Sequence, residues 1–265
     1  MLALSCDRQK EVLVPDNTAP PDQTVSDVAL ESYINRVYIS LLGRKPDDAE
    51  FAAGTTTLRA DNLSQQNRID FVDDVLARDA FDQHFFDLNF DFLLPATDTS
   101  QVAAQIFLFQ LLLLNPDYEE EWDIMRDEKE RLEGLLAIPT DLQSSAIDHV
   151  QALRRMSHNY FYDQINMGTQ NFVIAMFQNF LLRYPTDAEL EAAEQMVDGF
   201  SATVFLETGQ SKLDFLDIFF QTADFYEGQV REVFNRLLFR VPDTEEMETN
   251  AVAFKNSGDY PALLR

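Results

Sequence analysis

Four prolines sit in near-identical surroundings, and their neighbours restrict this chain to a helical architecture. The segments are "VYISLLGRKPDDAE" ending at Glu50, "IFLFQLLLLNPDYEE" ending at Glu120, "MFQNFLLRYPTDAE" ending at Glu189 and "VFNRLLFRVPDTEE" ending at Glu246. Their prolines, Pro46, Pro116, Pro185 and Pro242, are 70, 69 and 57 residues apart. One residue after each comes Asp47, Asp117, Thr186 or Asp243, and four after comes Glu50, Glu120, Glu189 or Glu246. Twelve, nine and eight residues before each proline the side chains are apolar or aromatic, from Ile34, Val37 and Tyr38 to Val230, Val233 and Phe234.

Offsets of twelve, nine and eight share one face of a helix, so each segment is expected to bury an apolar stripe. Proline ends that helix by disfavouring the helical region for the residue before it. Asp or Thr then caps the next helix, and the Glu three residues on completes a capping box at the positive end of the helix dipole. Arg44, Arg183 and Arg240 stand two residues before their prolines, with Leu114 in the second copy. A cation suits the last turn of a helix, and from there it can reach the capping Glu across the turn. Between the prolines, Phe81, Phe161 and Phe225 recur as aromatic anchors that are expected to pack between helices. The expected fold is all-α, with roughly ten helices in degenerate helix–Pro turn–helix repeats. A first repeat pair falls at 28–137 and a second at 138–265. The last copy lacks the small-residue-plus-Phe closure, so the natural chain is expected to run past Arg265.

Composition narrows the partners. With 46 acidic against 20 basic residues the formal net charge is −26. Such a surface repels phosphate backbones and anionic headgroups, which argues against nucleic acid, and it attracts basic proteins and divalent cations. The stretch "IFLFQLLLL" (106–114) is too short to span a bilayer and suits a buried helix. Cys6 is the one cysteine, so neither an intrachain disulfide nor a cysteine-based metal cluster is open to this chain.

Two resemblances add to this reading. The opening "LALSC" resembles the end of a bacterial lipoprotein signal peptide, which implies that residues 1–6 are the end of that signal with Cys6 as the lipidation site, followed by a polar, flexible tether at 7–27. "YINRVYISLLGRKPDDAEF" followed by "FVDDVLARDAF" resembles a bacterial helical domain of unknown function found in secreted and cell-surface proteins, similar in layout to the helical domain of phycobilisome linkers. Tyr38, Leu41, Leu42, Gly43, Arg44, Pro46, Asp47 and Phe81 carry the match; later copies have Leu182 and Phe239 in place of Gly43. The resemblance implies an all-α interaction domain outside the cytoplasm, with no established catalytic residues.

Catalytic signals are sparse. No phosphate loop, zinc-protease or nucleophile-elbow motif occurs. His84, His149 and His158 have no accompanying nucleophile motif and read as surface or helix-end histidines. "NPDYEEEWD" (115–123) lacks the alternation and central Gly of a calcium loop, and Trp122 within it reads as core or interface. The expectation is a non-catalytic, extracytoplasmic lipoprotein at the outer membrane or cell surface. It would serve as a structural or accessory subunit beside other envelope or surface proteins, without cofactor, held to the membrane through Cys6. Alternatives are a cation- or glycan-binding surface module and an acid-dependent hydrolase.

Overall fold

The computed structural model describes residues 25–60 and 63–265; Cys6 and residues 7–24 of the expected tether lie outside them. The chain begins with four helices: α1 (Asp27–Leu42), α2 (Asp48–Arg59), α3 (Gln65–Leu76) and α4 (Asp79–Leu93). A middle section follows: α5 (Thr99–Leu112), a 3-10 turn (Pro116–Glu121), α6 (Trp122–Leu136), α7 (Ile138–Gln143), α8 (His149–Ser157) and α9 (Tyr160–Ile165). Next come α10 (Thr169–Met176), a π turn (Phe177–Leu181) and α11 (Asp187–Val197). A two-stranded antiparallel ribbon, β1 (Ala202–Val204) with β2 (Glu207–Gly209), leads into α12 (Lys212–Phe219) and α13 (Ala223–Val233). A second π turn (Phe234–Leu238), α14 (Thr244–Ser257) and α15 (Tyr260–Leu263) complete the chain.

The fold is all-α, with fifteen α-helices among the described residues against the expected ten. The difference lies in helices of four to nine residues, such as α7 and α9, whose caps close each piece early. Asn159 is one such cap, its side chain accepting from the backbone of Phe161 and Tyr162.

Two quartets share one plan. "FVDDVLARDAF" (71–81) in α3–α4 lines up with "FLDIFFQTADF" (215–225) in α12–α13. In both, the positions Phe71/Phe215, Val72/Leu216, Val75/Phe219, Leu76/Phe220 and Phe81/Phe225 are buried. α2 and α11 each start from a capping box, and α3 and α12 each start from a Ser cap, Ser64 and Ser211. α1–α4 therefore correspond to α10–α13, while α5–α9 bridge the two quartets.

The quartets differ where α1 meets α4 and where the turn after α10 meets α13. A Cβ on Gly43 would press into the His84 ring, so the small residue lies on the α1 side. The position equivalent to His84 is Gly228, where a Cβ would collide with the Phe180 carbonyl, so there the small residue lies on the α13 side. At the turn itself Gly43 is left-handed with φ 68°, as Gly readily allows. Leu182 and Phe239 hold the same conformation with φ 55° and 54°, at the ends of the π turns. Such a residue with a Cβ is strained by about 1 kcal/mol.

The anchors follow the expectation in two of three cases. Phe81 and Phe225 are buried, but Phe161 is half-buried and the fully buried residue is its neighbour Tyr162. The N-terminal cap Asn159 sets α9 so that Tyr162 points inward, where its hydroxyl accepts from Asn179 Nδ2 at 3.0 Å.

Candidate functional site

The Pro turns are the most repeated arrangement of charged side chains. At the first, Arg44 makes a bidentate pair with Glu50, Nη1–Oε2 and Nη2–Oε1 both 2.7 Å, and donates to the Lys45 carbonyl at 3.0 Å. Glu50 accepts from the Asp47 backbone N–H at 2.8 Å, and Asp47 Oδ1 accepts from the Glu50 N–H at 2.8 Å. The Arg44 guanidinium lies 5.8 Å from the Tyr38 ring centroid. The third turn repeats this with Arg183, Glu189, Thr186 and the Phe177 ring at 5.0 Å. The fourth repeats it with Arg240, Glu246, Asp243 and the Phe234 ring at 4.9 Å. One Arg thus ties the end of one helix, an aromatic ring and the capping box of the next helix into a single clamp.

Two clamps gain a further charge that spacing alone does not reveal. Arg78, the N-terminal cap of α4, donates to Glu50 and lies 5.3 Å from the Tyr38 ring. Asp224, in the first turn of α13, accepts from Arg183 at 2.7 Å. Both stand just before a buried anchor, Phe81 or Phe225, which was the signal available in the sequence.

The second turn departs from the pattern. Pro116 opens a 3-10 helix capped by the Asn115 side chain, Asp117 and Glu120 form no capping box, and Leu114 replaces the Arg. Tyr118 has non-helical backbone angles, so no α-helical turn forms here to bring residue 120 back to residue 117. Among the described residues, no group of three or more His, Cys, Asp or Glu is arranged to hold a metal ion.

The clamps lower three carboxyls. Glu50, Glu189 and Glu246 are each held at about 2, first by the hydrogen bond from the partner Arg. A carboxylate depressed in the folded state adds stability that is complete above the ordinary carboxylate range and is lost as pH falls towards about 2. Urea unfolding at stepped pH should therefore show stability declining between about pH 4.5 and 2. Glu50→Gln is expected to lower stability by about 1–2 kcal/mol, because two Arg side chains lose an anionic partner that is 12% exposed. Glu246→Gln should have a smaller effect, since Arg240 is its one cationic partner among the described residues and the pair is more open to water.

The histidines are less exposed than expected. His149 opens α8, is buried, stacks on Tyr260 at 5.3 Å and meets the edge of Phe85 at 4.7 Å. His84 lies inside α4, where burial and then the Arg236 charge lower its pKa. His158 ends α8, and burial followed by Arg131, Lys212 and Arg154 pushes it down to about 3. His149 fills a place among rings brought by α4 and α15, a demand that helical periodicity does not encode.

The largest departure concerns α5. In copies one, three and four the stripe is buried or packed against the core: Ile34, Val37 and Tyr38; Val173, Met176 and Phe177; Val230, Val233 and Phe234. In α5 the matching residues, Ala104, Phe107 and Leu108, face outward, with Phe107 60% exposed. α5 buries Val102 and Phe109 instead, packs along α6, and sets Phe109 against Tyr160 at 5.9 Å. Ser100, Ala103, Ala104, Phe107, Leu108, Leu111 and Leu114 form its outer face, and no charged residue occurs in the helix. This face is a contiguous exposed apolar patch on a chain whose formal net charge is −26. Trp122, half-buried at the start of α6, donates from Nε1 to the Leu112 carbonyl at 3.3 Å and pins the far end of α5.

No family model, curated protein or solved structure matches this chain.

Proposed function

We propose that the protein is a non-catalytic accessory subunit of a larger assembly in the cell envelope, tethered through a lipidated Cys6 and docking its neighbour on the outer face of α5. The observation that carries this reading is the outward turn of Phe107, Leu108 and Leu111, at offsets that are buried or packed against the core in the other copies. Association removes that apolar surface from water, worth roughly 25 cal/mol per Å² before the costs of docking. Leu206 and Phe239 support the same reading. Both are exposed apolar side chains held at positive φ, at the ribbon turn and the last Pro turn, where strain is tolerated without any gain in core packing.

The test is copurification from native membranes with the wild-type chain and with Phe107→Glu/Leu111→Glu. The expected result is a neighbour retained by the wild type and lost from a double variant whose circular dichroism is unchanged. Recovery of the same proteins with both chains would remove the α5 docking surface. Radiolabelled palmitate should enter the wild type and not Cys6→Ser; label in neither chain would remove the anchor.

A further inference from the structure

The two quartets enclose a cavity of about 560 Å³ between α1, α4, the turn after α10, α13 and α15. That volume lies within the range of small-molecule sites. Its walls are mostly apolar, with Phe85, Leu88 and Phe180 prominent. Its charged lining residues pair with each other, Arg236 Nε donating to Glu232 Oε1 at 2.8 Å. Arg236 also donates to the Tyr260 hydroxyl at 3.2 Å. Beside them His84 is kept towards its neutral form by burial and by Arg236. An ionised ligand would therefore meet no unpaired countercharge there.

Two lining carboxamides have their nitrogens engaged. Asn89 Nδ2 donates to the Phe85 carbonyl at 2.8 Å, and Gln229 Nε2 donates to the Phe180 carbonyl at 3.5 Å. A carbonyl only accepts, so these partners fix which end of each carboxamide is nitrogen. The two carboxamide oxygens accept no hydrogen bond among the described residues, yet neither is a sealed atom. Both residues line the cavity. The cavity thus offers apolar walls, two carboxamides with unpaired oxygens, and the side chains of Ser40 and Asn235, which make no hydrogen bond among the described residues.

We propose that this cavity binds a small, uncharged, largely apolar molecule bearing a hydroxyl or amide N–H, which donates to the carboxamide oxygens of Asn89 and Gln229. A site built to receive a donor discriminates strongly against an analogue that lacks it, because its polar groups would then be left unpaired.

The test uses 2-naphthol and 2-methoxynaphthalene, which share an apolar body and differ in the donor. Titration calorimetry on the full chain should show 2-naphthol binding about tenfold more tightly than the ether. Asn89→Leu should bring the two affinities together. Leu88→Trp, which fills the cavity from a half-buried position, should weaken 2-naphthol binding by tenfold or more. Should Leu88→Trp fail to fold, amide shifts induced by 2-naphthol in the wild type decide the location, and they are expected on α4 and α13. Absent binding, equal affinity for both probes, or shifts confined to other helices would overturn the proposal.

Discussion

Phe219→Ala should lower stability by about 3–5 kcal/mol, a large part of what holds most folded chains together. Phe219 is fully buried at the end of α12, with five phenylalanine rings within 6.2 Å of its centroid: Phe177, Phe180, Phe205, Phe215 and Phe220. Those rings come from α12, from the π turn after α10, from the residue after α12 and from the ribbon turn, so the cavity left behind has no single element that could collapse into it. Phe205 holds positive φ at the ribbon turn and packs on both Phe177 and Phe219. Loss of the Phe219 ring should therefore loosen the ribbon as well. Phe200→Ala, at a residue 66% exposed, should change stability by no more than about 0.5 kcal/mol. Equal effects of the two in urea unfolding would contradict this account of the core.

Gly228→Ala should be destabilising by about 2–3 kcal/mol, although Ala is the better helix former by about 1 kcal/mol. The new methyl group would meet the Phe180 carbonyl oxygen and, at 3.0 Å, the Leu181 Cα. These are backbone atoms of the preceding π turn, so they cannot swing aside as a side-chain tip would. Gly134→Ala, in α6, provides the opposite case. Its nearest neighbours are atoms of the Arg155 side chain at 3.9 Å, so the gain in helix propensity should appear as added stability of up to about 1 kcal/mol. A pair of thermal melts shifting in the same direction would refute the close approach at Gly228.

The helical class and the clamps were legible because their causes are local. Asp47 to Glu50 spans three residues and Arg44 to Glu50 spans six, so one short stretch contains both partners. α5 was not legible for the same reason turned around. Its periodicity specifies an apolar face, but only the neighbours that arrive from distant sequence decide whether that face is covered. Pro116 shows the weakness of a proline signal standing alone: the residue ends a helix, but without an Arg two places earlier the turn that follows is a different one. The correspondence of α1–α4 with α10–α13 lay in "FVDDVLARDAF" and "FLDIFFQTADF", whose buried positions agree although most of their letters do not. The cavity had no local signature, since its walls come from residues nearly the whole chain apart.

Gly43 and Gly228 make the two quartets non-exchangeable. Were the stretch carrying α10 grafted into the place of α1, Leu182 would bring a side chain to the spot where His84 requires none. The reciprocal graft would remove the Leu182 side chain and, if His84 came with α4, would set its ring against the backbone that Gly228 now accommodates. The reversed placement of the small residue thus makes each quartet's first helix specific to its own fourth helix.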